Sequence, residues 1–137
     1  MTQEIFEFIK QCPCFENFTF NIDYLGRKVN SISLSGRCKN ETVKKYTDGD
    51  SMNKSTYDLK IRLPFGADGA QNADNAMLLD EISEWFHKQN TQSNFPYLND
   101  SDIVVSIVCD FEPDCINATS DSLVVEAKIG IVYYKVR

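Results

Sequence analysis

The chain has 137 residues and a net charge of -6, with 42% apolar and 25% charged residues. These values fit one soluble domain able to bury an ordinary core, and no run approaches the ~20 apolar residues of a membrane span. The basic residues are scattered, the densest groups being the pairs Arg27-Lys28 and Lys44-Lys45, so neither specific nor nonspecific nucleic-acid binding is expected.

The beginning, Met1-Thr2-Gln3-Glu4-Ile5-Phe6, lacks the basic segment of a secretory signal. The expectation is a protein that stays in the cytosol where it is made. Five cysteines (Cys12, Cys14, Cys38, Cys109, Cys115) then read as reduced, structural thiols. Asn-x-Ser/Thr triplets begin at Asn17, Asn40, Asn53, Asn99 and Asn117. Without an export signal they reflect composition rather than glycosylation.

In chain order, a first helix is expected from about Gln3 to Gln11. Thr2 is its N-cap, Glu4 sits in the first turn, and Ile5, Phe6, Phe8, Ile9 and Cys12 form one buried face. Pro13 should end it. Phe18, Phe20 and Ile22 alternate with polar residues as the inward set of a strand. Leu25 to Lys28 reads as a turn, Val29 to Ser35 as a second strand with Ile32 and Leu34 inward, and Glu41 to Thr47 as a weaker third. Asp48-Gly49-Asp50 is a turn or loop tip. From Ser55 to Leu63 the alternation is clean, with Tyr57, Leu59, Ile61 and Leu63 on one face.

The second helix is expected from about Ala70 or Asn72 to Gln89. Asp68 and Gln71 have the spacing of a capping box. Leu78, Leu79, Ile82, Trp85, Phe86 and Gln89 recur at helical spacing as a core face, widened by Ala73 and Met77. Asp80, Glu81, Glu84 and Lys88 cover the outer side. A polar loop, Thr91 to Ser101, leads to two last strands. Their inward sets are Ile103, Val105, Ile107, Cys109, Phe111 and Val125, Ala127, Ile129, Ile131, Tyr133, joined by a loop from about Pro113 to Asp121. The order α-β-β-β-β-α-β-β describes a single α+β domain over residues 1–137, with a mostly antiparallel sheet packed by two helices on one face.

Catalytic and cofactor chemistry finds little support. Cys12-Pro13-Cys14 has one intervening residue where zinc pairs have two to four, and His87 is the one histidine, placed on the last turns of a helix. Asp48, Asp50 and Asp58 near Gly49 lack the remaining ligands of an EF-hand. Gly66-Ala67-Asp68-Gly69 precedes a helix like a phosphate cradle, but it has no lysine and carries nearby aspartates. The expectation is no enzyme, no cofactor and no metal.

One resemblance spans nearly the whole chain. It is carried by Asn21-Ile22-Asp23-Tyr24-Leu25-Gly26 and by Val43-Lys44-Lys45-Tyr46-Thr47-Asp48-Gly49-Asp50-Ser51 before a long strand. It continues in Phe65-Gly66-Ala67-Asp68, Gln71-Asn72-Ala73-Asp74-Asn75, Glu81-Ile82-Ser83-Glu84-Trp85 and Gln89-Asn90. Phe95-Pro96-Tyr97-Leu98 and Ile131-Val132-Tyr133-Tyr134 complete it. In these segments the chain resembles the bacteriophage tail-terminator, or tail-completion, proteins of low-GC Gram-positive phages, often labelled minor capsid proteins. It departs from them at Cys14, where an apolar residue is expected after Cys-Pro.

The resemblance implies a structural subunit of a phage, a prophage or an R-type bacteriocin. Such a subunit forms a homo-oligomeric ring, expected to be a hexamer, on the head-proximal end of the tail tube. The ring stops tube polymerisation and serves head-tail joining during virion assembly. Its partners would be its own copies, the tail tube protein and the head-tail connector, with no membrane. It would reside in the host cytoplasm during assembly and then in the virion tail or neck. Six acidic copies, carrying about -36 together, would let DNA pass without trapping it. The segment Tyr46 to Ser55 is expected to reach the tube, with Tyr46, Asp48, Gly49, Asp50, Met52 and Lys54 as assembly contacts. A head-completion protein of the neck is the alternative within virion assembly, and a small ligand-binding or enzymatic domain the alternative outside it.

Overall fold

The computed structural model describes residues 1–66, 69–118 and 121–137, and the side chains of all of these except 69–71 and 113–117. The helices are α1 (Thr2–Ile9) and α2 (Gly69–Thr91), with a 3₁₀ turn at Pro13–Phe15. The strands are β1 (Thr19–Ile22), β2 (Ser31–Leu34), β3 (Lys39–Lys45), β4 (Ser51–Pro64), β5 (Asp102–Ala118) and β6 (Ser122–Lys135). They form one sheet in the order β1-β2-β4-β6-β5, and β3 shares with β2 the same side of the long β4. All pairs are antiparallel except β1 with β2. The chain is therefore α+β with a mixed, mainly antiparallel sheet.

The core follows from the alternation in β4 and β6. Their register sets Tyr57 against Ile129, Leu59 against Ala127 and Ile61 against Val125, so both apolar sets lie on one face. All six are buried, together with Leu63, Ile131 and Tyr133. Each large side chain so buried contributes about 1.5–3 kcal/mol. Both helices cover this face and meet each other through Phe8 and Trp85, whose rings lie 5.2 Å apart. The opposite face carries a charge ladder, Lys60 with Glu126 at 3.5 Å and Lys128 between Asp58 and Glu112. Such exposed pairs add little stability, so this face is open rather than cemented.

Several expectations need correction. Thr2 is not the cap of α1: Met1 holds that position, and the Thr2 hydroxyl turns to Tyr57 Oη at 3.1 Å and to the Gly36 carbonyl at 3.4 Å. The helix stops at Ile9 rather than at Pro13, which instead opens the 3₁₀ turn as its first residue. Ile22 ends β1 with 38% of its surface exposed instead of facing inward. Leu25 to Lys28 belongs to a parallel crossover rather than a simple turn. Asp23 (φ 60°) and Asn30 (φ 62°) bend the connection, and Asn30 N–H donates to the Arg62 carbonyl at 2.7 Å. The second strand shrinks to β2, the third shifts to β3, and β4 starts at Ser51 rather than at the expected Ser55.

α2 has its expected core face at Ile82, Phe86 and Gln89, with Leu78, Leu79 and Trp85 half-buried. Ala73 and Met77 are exposed and do not widen it; buried Asn75 takes that place and donates to the Pro64 carbonyl at 2.7 Å. The capping box falls on Asp68 and the Gln71 side chain, which lie outside what is described. In β5, a bulge between Val104 and Ser106 reverses the phase, so Val104 is buried and Ile103 and Val105 are exposed. The expected loop from Pro113 is also too long, because β5 continues to Ala118 beyond a second irregularity after Phe111.

Candidate assembly surface

Tyr46, Asp48, Gly49 and Asp50 form the tip of the hairpin between β3 and β4. β3 is exposed along its whole length, so the hairpin projects without a core of its own. Its turn is closed by Tyr46 N–H donating to the Asp50 carbonyl (2.9 Å) and Gly49 N–H donating to the Tyr46 carbonyl (3.1 Å). Gly49 holds φ 97°, a left-handed conformation that favours glycine, and a Cβ there would have to push the Arg137 side chain aside.

Asp50 fastens the tip to the end of the molecule's longest ladder. Its carboxylate accepts the Arg137 backbone N–H at 2.9 Å and the Tyr134 hydroxyl at 2.5 Å. The Arg137 amide, and then the Tyr134 hydroxyl, hold the Asp50 carboxyl below the usual carboxylate range. The same bond pushes Tyr134 up to about 12, because the phenolate would face a carboxylate. Tyr46 packs on the Tyr134 ring at 5.7 Å, and the Lys44 ammonium sits 5.2 Å from the Tyr46 ring centre.

Met52 and Lys54 follow on β4 and lie on the open face. Met52 aligns with Tyr134, and Tyr134 with Ile103, making an apolar row across three strands. Lys54 aligns with Val132, and a Cβ at Gly130 would lie 3.3 Å from Lys54 Cε. Its alkyl stem therefore runs over Gly130 while its charge stays at the surface. All six sequence-derived residues thus share one end of the sheet. Tyr134, Arg137 and Ile103 belong to the same surface and were not among them. Of these, only Tyr134 stood out in the sequence, as an aromatic on the outward phase of its strand beside inward Tyr133.

The other candidate chemistries do not converge. Asp58 lies along β4 from the hairpin tip and binds Lys128, so it cannot join Asp48 and Asp50 around a cation. Among the described residues, no group of three or more His, Cys, Asp or Glu side chains is arranged to hold a metal ion. Burial pushes the Cys12 and Cys109 thiols up to about 12, and raises Cys14 as well. Such thiols are poor ligands and nucleophiles at neutral pH. Cys12, Cys14, Cys38 and Cys109 are free; the Cys115 side chain and the Ala67-Asp68 part of the glycine loop lie outside what is described. His87 is exposed on α2. Among the described residues, no helix is long and apolar enough to cross a membrane. No protein-family model and no curated protein matches the chain.

Proposed function

We propose that this protein is a structural assembly subunit, a tail terminator that works as a ring of its own copies on the end of a phage tail tube. The observation that carries the reading is the Asp50 anchorage. An exposed hairpin is held rigidly to the C-terminal end of β6, so it can present Tyr46, Asp48, Met52 and Lys54 to a partner with little ordering cost. The apolar row from Met52 to Ile103 beside it offers contact area. The whole-chain resemblance in the hairpin, α2 and Phe95–Leu98 segments supplies the identity of the partner, the tube protein, and the connector on the opposite side.

Electron microscopy tests this with pre-assembled tail tubes and connector-bearing heads offered together. Added density on one end of the tubes is the expected result. Binding to heads alone would favour a head-completion role, and binding to neither would reject both.

A further inference from the structure

Asp48 and Gly49 at the hairpin tip combine two groups that can react with each other. Among the described residues, Asp48 is the one aspartate or asparagine followed by glycine. Both are exposed, so water reaches the bond between them. A side-chain carboxyl can close onto the amide nitrogen of the next residue, and glycine has no Cβ to crowd the ring that forms. Holding the two groups close within one chain makes the step effectively unimolecular.

The bonds of the tip set up this approach. Asp48 Oδ1 accepts the Asp50 N–H at 3.0 Å, which folds the carboxyl forward along the chain. The ring closed by that bond contains the Gly49 nitrogen, so Asp48 Cγ and this nitrogen are held within one turn. The Gly49 N–H is directed at the Tyr46 carbonyl (3.1 Å) rather than at the Asp48 carboxyl. The second carboxylate of the tip is withheld from the same reaction. Asp50 is tied to the Tyr134 hydroxyl at 2.5 Å and to the Arg137 N–H at 2.9 Å, and serine follows it.

We propose that Asp48 is a self-modification site that converts through a succinimide to isoaspartate, with water as the sole co-reactant, and that the conversion releases the tip from its anchor. In the first step the Gly49 nitrogen bonds to Asp48 Cγ, the amide proton is lost and a carboxyl oxygen leaves as water. In the second step water opens the ring. Attack at Cγ restores aspartate, whereas attack at the main-chain carbonyl leaves the chain running through Cβ and Cγ. Nothing is oxidised or reduced. The isomer carries one extra backbone atom between Asp48 and Gly49. The bonds that close the turn, Tyr46 to Asp50 and Gly49 to Tyr46, do not fit that length. Asp50 then loses its position against Tyr134 and Arg137. The site belongs to the tip whether or not the protein caps tubes.

Incubating the folded, full-length chain in heavy-oxygen water tests this. Each opened ring takes up one heavy oxygen, and trypsin cleavage after Lys45 and Lys54 isolates the peptide from Tyr46 to Lys54 for mass spectrometry. The expected result is heavy oxygen, and a methyl group added by protein isoaspartate methyltransferase, both located at Asp48 by fragmentation. Asp48→Glu, which would need a larger ring, should lose both with an unchanged circular dichroism spectrum. The wild-type isomer, separated by chromatography, should return Tyr134 from about 12 towards 10.0 in a tyrosine titration, because the carboxylate that raised it has moved away. A folded tip that stays unlabelled over a period in which the urea-unfolded chain takes up label would overturn the proposal, as would label that persists in Asp48→Glu. An isomer whose Tyr134 remains raised would overturn the release of the anchor.

Discussion

Asn90 shows how one side chain settles what an edge strand can do. A free β-edge offers backbone donors and acceptors to any other chain, yet at Ile107 both are taken by the Asn90 carboxamide. Asn90→Ala should lower stability by about 1–3 kcal/mol, the cost of stranding partly buried backbone groups, measurable by urea unfolding. Asp50 controls the other sensitive bond. Its carboxyl is depressed in the folded state, so its anchoring is complete above the usual carboxylate range and is lost as pH falls through the depressed value. Tyr134 is raised, so its contribution is complete below its ordinary value of 10.0 and is lost as pH climbs towards about 12. In a spectrophotometric tyrosine titration, Asp50→Asn should return one tyrosine to near 10, and Tyr134→Phe should remove that tyrosine from the curve. An unshifted titration in Asp50→Asn would show that the latch does not form.

The elements were legible wherever periodicity was unbroken. β4 and β6 alternate without a bulge over their whole paired length, and Tyr57 to Leu63 and Val125 to Tyr133 are buried as their spacing requires. β5 defeated the same rule because Ile103, Val104 and Val105 are all apolar, so composition could not say where the bulge falls. The parallel pairing of β1 and β2 was also hidden. It depends on Asp23 and Asn30 adopting positive φ and on a backbone bond to Arg62, far along the chain. The hairpin turn was readable from Asp48-Gly49-Asp50, but its anchors, Tyr134 and Arg137, were not, since nothing local links them to it. The bulge makes a direct prediction. Val104→Ala should cost about 1.5–3 kcal/mol as a buried side chain, whereas Val105→Ala should stay within about 0.5 kcal/mol. Equal costs in thermal unfolding would place the bulge elsewhere.

At the scale of the molecule, the arrangement separates roles by position. One sheet face is closed by two helices and supplies the stability. The other is open, and the hairpin end gathers the anchored tip and the apolar row. A chain so organised presents a polar tip and an apolar row at one end, which suits the proposed subunit that meets a tube end-on. In the proposed ring, a net charge of -6 on each copy would leave a field that does not hold DNA. The most direct test is the length of tail tubes polymerised with and without this protein. Elongation that stops once the protein is added, with every stopped tube bearing extra density at one end, is the predicted result. Tubes that lengthen at the same rate to the same lengths, with bare ends, would contradict the account.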